Sequence, residues 1–395
     1  MSFNQFNFHP KIDTGIAACG YTIPTPIQKE AIPKVLKGQD IFGLAQTGTG
    51  KTAAFVLPIL QRLLNGPRKK GRALIVAPTR ELAEQIHENI REMAKATGLK
   101  SVAIFGGVGK QPQIRAIRAG SEIIVACPGR LLDLFNSKAI RFNAIEVLVL
   151  DEADHMLDKG FLPDIRRIVR ELPKNRQSLV FSATMTRAIR QLAETILKDP
   201  ETVQIEHNLP VATISHALFE VEKQQRTSFL KALIHKHEMA RTLVFTRTKH
   251  KAKSLAMQLN KGGFSATSLQ GNLTQQNRKK ALEGFRDGRF KIMVATDIAA
   301  RGIDVLGISH VINYDMPDTV ETYTHRTGRT GRASQTGQAF TFFSREETKM
   351  VRLIEKNMGK KMHREFTPVT PDSGVKVKRK RHMNNSKRGP NAVQR

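Results

Sequence analysis

The sequence predicts an α/β protein made of two tandem doubly wound parallel-sheet domains, joined by a short linker and followed by a basic tail. Three observations predict this. Short all-apolar runs alternate with amphipathic stretches, the alternation breaks once near the middle of the chain and restarts, and the C-terminal segment has no apolar pattern. A length of 395 residues suits two domains, each with its own core.

In the first half the strand-like runs are Asp40 to Leu44, Ala73 to Ala77, Val102 to Phe105, Glu122 to Ala126, Val147 to Leu150 and Ser178 to Phe181. Runs this apolar suit strands buried on both faces, and the helical patterns between them supply parallel crossovers. The stretch Glu206 to Thr213 breaks the rhythm. New runs then follow at Thr242 to Phe245, Ser265 to Leu269, Lys291 to Ala295, His310 to Asn313 and Gln338 to Phe343. The expected division is a first domain over 1–206, a linker over 207–216, a second domain over 217–370 and a tail over 371–395. From Val375 to Arg395 the tail has few apolar residues and no acid, so it is expected to be disordered when free.

Charge narrows the partner. Lys and Arg number 64 against 35 Asp and Glu, a net +29. Eight basic residues from Ser373 onward leave 29 − 8 = +21 on the rest, so the excess is not confined to the tail. Such a balance favours a polyanion, nucleic acid ahead of an anionic membrane surface. No stretch approaches the roughly 20 apolar residues of a spanning helix, and the N-terminus lacks a secretory pattern, so a cytoplasmic protein is expected. Cys19 and Cys127 are too few for a disulfide framework, and the histidines show no metal-ligand spacing; His235 and His237 are expected on a solvated helix end.

The chemistry sits at two motifs. Ala45-Gln46-Thr47-Gly48-Thr49-Gly50-Lys51-Thr52 lies between a strand and a helix, with Ala45 where a strict phosphate loop has glycine. Gly48 and Gly50 permit a tight turn that aims backbone N–H groups at phosphate, and the helix that follows favours anions at its start. Lys51 is expected to reach the β and γ phosphates and Thr52 to ligate Mg2+. About a hundred residues on, Asp151-Glu152-Ala153-Asp154 follows the run Val147 to Leu150. At the carboxyl edge of a sheet Asp151 suits Mg2+, and Glu152 suits orienting or deprotonating the attacking water. Ser182 and Thr184, ending the next strand, are expected to hydrogen-bond these carboxylates. Together the motifs predict hydrolysis of a nucleoside triphosphate.

In the second half, His325-Arg326-Thr327-Gly328-Arg329-Thr330-Gly331-Arg332 sets arginines at spacing three among glycines. Each glycine would cost a helix about 1 kcal/mol, which argues for a purpose. Arg329 and Arg332 are the expected arginine fingers.

With these residues in place, the chain resembles the DEAD-box ATP-dependent RNA helicases and looks closest to the bacterial RhlE-like group. The matching motifs run in order: Gly20-Tyr21 with Pro24 to Gln28, Pro78-Thr79-Arg80-Glu81-Leu82-Ala83, Gly106-Gly107, Pro128-Gly129-Arg130, Ser182-Ala183-Thr184, Gln270-Gly271 with Gln275 and Arg278, Ala295-Thr296-Asp297 with Arg301 to Asp304, and the arginine block with His325. The resemblance implies two RecA-like domains, ATP and Mg2+ as cofactors, and RNA as the substrate. It implies that Gln28 reads the adenine edge with Phe3 and Tyr21 near the base, and that Asp304 contacts the nucleotide from the second domain. It further implies that Pro78, Thr79, Arg80, Gly107, Gly129, Arg130, Thr248, Gly271 and Thr296 grip the RNA backbone without sequence preference. Local, RNA-gated opening of short duplexes follows from the same resemblance. One departure stands out: Cys127 occupies a position usually held by threonine, and a thiol is a weak hydrogen-bond partner.

Two rivals are a DNA-directed translocase, marked by equal stimulation by DNA, and an ATP-dependent RNA clamp or scaffold with little turnover. Intact Lys51, Asp151, Glu152 and Arg332 speak against the second. A monomer is expected, with a dimer left open, and ribosome assembly and RNA degradation are the settings the resemblance suggests.

Overall fold

The computed structural model describes residues 2–46, 48–205, 214–300, 305, 307–331 and 336–365. Thr47, Asp304, Arg332, most of the expected linker and the whole tail lie outside them. The described strands, in chain order, are β1 (Ile41–Leu44), β2 (Ala73–Val76), β3 (Ser101–Ile104), β4 (Ile123–Ala126), β5 (Val147–Leu150), β6 (Gln177–Ser182), β7 (Glu201–Gln204), β8 (Ile214–Glu220), β9 (Thr242–Phe245), β10 (Ala266–Leu269), β11 (Ile292–Ala295), β12 (His310–Asn313), β13 (Gly337–Phe343) and β14 (His363–Glu365).

They form two seven-stranded sheets, in the orders β3-β4-β2-β5-β6-β1-β7 and β10-β11-β9-β12-β13-β8-β14. Every strand pair described is parallel. In the first domain the two faces are covered by separate apolar clusters, one including Phe55, Ile75 and Phe181 and the other including Leu74, Leu148 and Val180. Alternate residues of β2, β5 and β6 thus feed opposite faces, which is why these strands read as unbroken apolar runs.

Each strand expected from the sequence is present, with ends shifted by a residue or so, and three more appear. Glu201–Gln204, Ile214–Glu220 and His363–Glu365 lie at or next to sheet edges. Two of them, β7 and β14, are mostly exposed polar residues, the composition that protects an edge and hides a strand from hydropathy. Strand β8 begins at Ile214, inside the segment 207–216 expected as linker; its pairing with β13 over Ile214 to Glu220 draws those residues into the second sheet.

Sheet order positions the site. Strands β5, β6 and β1 are neighbours, so the segments after them, with Asp151, Ser182 and the phosphate loop, converge at one carboxyl edge. Strands β3, β4 and β2 form the other half of that edge, and β10, β11 and β9 are grouped in the same way in the second sheet.

Candidate functional site

The phosphate loop takes the shape its glycines allow. Gly48 and Gly50 have φ of 85° and 92°, the left-handed region, and Gly50 caps the helix Lys51–Leu64. A Cβ on Gly50 would stand 2.5 Å from Nε2 of Gln28, so the position excludes a side chain on both counts. Lys51 Nζ donates to the Ala45 carbonyl at 3.0 Å and lies 3.8 Å from Oδ1 of Asp151, while Thr49 Oγ1 donates to the Gln46 carbonyl at 2.8 Å. The lysine therefore bridges the loop to the acidic motif.

Gln28 is the third residue of the helix Pro26–Leu36, where its Oε1 accepts from Thr25 N at 2.9 Å and its Nε2 donates to the Gly50 carbonyl at 3.1 Å. An amide has two N–H donors and two acceptor lone pairs, so one of each remains for a base edge. Phe3, only 4% exposed, stacks with the half-buried Tyr21 at a ring-centroid distance of 6.2 Å with planes 23° off parallel, so it backs the Tyr21 ring from the core.

Asp151 and Glu152 are both buried, 3% and 6% exposed. Burial raises the Asp151 carboxyl to about 6, opposed chiefly by the charge of Lys51. Burial is the largest influence on Glu152 as well and pushes it upward. The hydrogen bond from His155 and the charges of Lys51, Arg329 and His155 outweigh it and bring Glu152 down to about 2. Glu152 is therefore a carboxylate at neutral pH. Oxygen donors from Asp151 and Thr52 beside a lysine suit a hard cation shared with phosphates, and Mg2+ characteristically takes few protein ligands. The residues fit Mg2+.

Ser182 and Thr184 divide their expected role. Thr184 Oγ1 reaches Oδ2 of Asp154 at 3.5 Å, whereas Ser182 Oγ donates to the Thr184 carbonyl at 2.8 Å and so shapes the turn rather than touching a carboxylate.

The arginine block also divides. The helix Val320–Thr327 ends before Gly328, so neither glycine is inside it. Arg326 is 3% exposed and pairs with Asp297 through Nε and Nη2 at 2.6 and 2.8 Å, with further bonds to Asn313 and the Asp315 carbonyl. It holds the second domain together. Arg329 is 5% exposed, and its charge acts on Glu152 of the first domain. Gly328 abuts the phosphate loop: a Cβ there would lie 3.7 Å from Oε1 of Gln46. His325 sits in the last turn of the helix that leads into this contact.

A second cavity, of about 610 Å³, lies between the domains and is lined by Pro78, Thr79, Arg80, Gly129, Arg130, Gly271 and Thr296, seven of the nine residues expected to grip RNA. The other two, Gly107 and Thr248, adjoin its lining residues Gly106, Arg247 and Lys249. Among the described residues, the wall carries the basic side chains Arg80, Arg130, Lys159, Arg247, Lys249 and Arg278 against one carboxylate, Glu81, the balance a phosphate backbone calls for. Thr79 and Thr248 use their hydroxyls to cap helices, accepting from Leu82 N and Lys251 N at 3.2 Å. Arg130 Nη2 donates to the Val108 carbonyl at 3.1 Å, and its Nε lies 3.4 Å from Asp133, so it braces the neighbouring loop. Cys127 also lines the cavity, and burial pushes its thiol up to about 12. It caps the helix Pro128–Asn136 without a side-chain hydrogen bond, the contact a threonine would offer.

Some pairings within the motifs are not expected from the sequence. Arg278 Nε meets Glu81 Oε1 at 2.6 Å across the domains, and Lys279 meets Glu84 at 3.3 Å beside it. Both acids face one way on the helix Arg80–Met93, a periodicity visible in the sequence, but the partners are nearly two hundred residues away. His155, third in the short helix Ala153–Asp158, lies 3.3 Å from Glu152.

The DEAD/DEAH box helicase family model matches residues 25–192 and the helicase conserved C-terminal domain model matches 225–334. The chain is 40% identical over 374 residues to the DEAD-box ATP-dependent RNA helicase CshA of Bacillus subtilis, covering 94% of this chain and 76% of that protein. Among solved structures it is similar to S. cerevisiae Dbp5 bound to RNA and ADP BeF3, with a TM-score of 0.85 and 34% identity over 92% of this chain and 95% of that one. A DEAD box protein from Methanococcus jannaschii is more alike in sequence, 37%, but scores 0.54 over 93% of this chain and 99% of that one. The two domains here thus stand much as in the RNA-bound relative.

Proposed function

The chain belongs to the DEAD-box ATP-dependent RNA helicases, and from that premise we propose how its two RecA-like domains divide the reaction. It is an RNA-stimulated ATPase that uses ATP with Mg2+ and opens short RNA duplexes locally. Lys51 and the amides of residues 46–50 hold the phosphates, Thr52 and Asp151 hold the metal, and Gln28 with Phe3 and Tyr21 takes the adenine. Bound Mg2+ supplies charge neutralisation on the phosphates. Glu152, ionised and buried, orients the attacking water and accepts its proton. Arg329 offsets charge on the transferred phosphoryl group. Asp304 and Arg332 lie outside the described residues and are assigned here only the roles the family resemblance implies, and His325 supports the arginine segment.

One observation carries the reading: the arginine segment of the second domain packs against the phosphate loop of the first at Gly328 and Gln46, and the charge of Arg329 adds to the hydrogen bond of His155 and the charge of Lys51 in keeping Glu152 ionised. Residues that line the basic cavity come from both domains, so RNA bridging them favours that packing. The backbone-gripping roles of Pro78, Thr79, Arg80, Gly107, Gly129, Arg130, Thr248, Gly271 and Thr296 belong to the same proposal. Glu152→Gln tests it. The variant should bind ATP and RNA and nearly cease turnover; undiminished RNA-stimulated hydrolysis would refute the assignment. ATPase stimulation by RNA over DNA of the same sequence separates a helicase of this kind from a DNA translocase, because the 2′-hydroxyl distinguishes them.

A first domain over 1–206, a second domain that opens at Ile214 rather than 217 and runs to 370, and a tail over 371–395 stay part of this proposal, as do a monomeric state, a cytoplasmic location and ribosome assembly or RNA degradation as settings. No helix among the described residues is long and apolar enough to cross a membrane. Membership of the RhlE-like group is likewise a proposal; the curated relative compared above bears the CshA name.

A further inference from the structure

We propose that His155 is a positioning residue for Glu152, fixing its carboxylate through Nδ1 in the orientation that handles the attacking water. The inference deepens the assignment of Glu152 above and rests on it. Glu152 stands at φ 53°, ψ 54°, a left-handed conformation disfavoured for any residue with a side chain, and such outliers persist where surrounding structure holds them. It caps the helix Ala153–Asp158, and His155 is the third residue of that helix, the position from which a side chain reaches back to the cap.

The distance from His155 Nδ1 to Glu152 Oε2 is 3.3 Å, and both residues are buried, 4% and 6% exposed. A carboxylate accepts, so the ring must present Nδ1–H to it. A hydrogen bond to one carboxylate oxygen restrains rotation of the carboxylate. The flanking Ala153 and Met156 are buried in the core of the first domain, which anchors the helix that carries the imidazole. A single turn of helix thus ties the strained cap, the carboxylate and its brace into one unit.

Asparagine places a donor where histidine has Nδ1, and glutamine places it near Nε2, so the pair isolates the hydrogen bond from packing. RNA-stimulated kcat should fall about tenfold in His155→Gln and His155→Ala, the effect of one lost bond to a charged group. It should stay within about twofold in His155→Asn, with KM for ATP and RNA affinity within about twofold throughout. In a Glu152→Gln background, His155→Ala should take nothing further from the residual rate. In the nucleotide- and metal-free protein, ¹⁵N NMR of the ring should show Nδ1 protonated.

Equal losses in the Asn and Gln variants, a further loss in the Glu152→Gln background, or an unprotonated Nδ1 would each overturn the proposal. Should His155→Ala not fold, the Asn and Gln comparison and the NMR measurement still decide it. Wild-type turnover in Glu152→Gln alone would overturn the water-handling role itself, a failure distinct from loss of the brace.

Discussion

Severing Arg278 from Glu81 should weaken RNA-stimulated turnover without touching a residue of the nucleotide site. The pair spans the domains at 2.6 Å with side chains only 12% and 10% exposed, so solvent screens it little. A hydrogen bond to a charged group contributes about 1.5–3 kcal/mol. When the domains part, both groups regain water, so the loss falls on the closing equilibrium rather than on either domain's stability. At 1.4 kcal/mol per factor of ten, closure should become about 10- to 100-fold less favourable.

Arg278→Gln and Glu81→Gln should each raise the RNA concentration for half-maximal ATPase stimulation by about tenfold or more, and the double variant should be no worse than either single. Fluorescence transfer between dyes on the two domains should show less closure at saturating ATP and RNA. Glu81 gives the test its force: it is the one carboxylate among the described residues of the basic cavity's wall, so a purely electrostatic view predicts that removing it tightens RNA binding. Additive losses in the double variant, or tighter RNA stimulation in Glu81→Gln, would refute the reasoning.

Arg326→Ala should destabilise the second domain by about 3–5 kcal/mol, because it strands Asp297 beside a buried network, whereas Arg329→Ala should lower RNA-stimulated kcat; denaturant titration of the first and turnover of the second check these. Cys127, pushed up to about 12, should alkylate with iodoacetamide about a thousandfold more slowly at pH 8 than a thiol of ordinary pKa 9, and Cys127→Thr should add about 1 kcal/mol of stability through a new helix cap. Burial, aided by the charge of Lys360, lowers His216 from 6.5 to about 4. The folded state thus disfavours its protonated form, so the stability it contributes is present above pH 6.5 and lost as pH falls toward 4, approaching about 3 kcal/mol. His216→Gln should flatten that part of the pH–stability curve, and parallel curves would refute the assignment.

How much of this was legible in the sequence follows from how local each feature is. The strands Val147–Leu150 and Ile292–Ala295 were visible because burial on both faces leaves an unbroken apolar run. Strands β7 and β14 were not, since an edge strand is specified by pairing with its neighbour and not by its own hydropathy. Within the site, Gly50, Lys51 and Asp151 announced themselves by spacing alone. The arginines at 326 and 329 are equivalent in sequence, and only packing separates a structural clamp on Asp297 from a charge directed at Glu152.

By itself the sequence determined the chemistry available: a glycine-rich phosphate turn, carboxylates at a strand end, an arginine block and a surplus of positive charge. Those are properties of residue type and short spacing, which local sterics and charge dictate. Tertiary structure alone decided which groups meet. The order β5-β6-β1 gathers the nucleotide residues, and β3-β4-β2 with β10-β11-β9 gathers the basic cavity. Domain contact then brings Arg329 to Glu152 and Arg278 to Glu81. Contacts across such separations depend on how whole sheets and domains pack, a balance of buried surface and paired charge that no short stretch of chain contains.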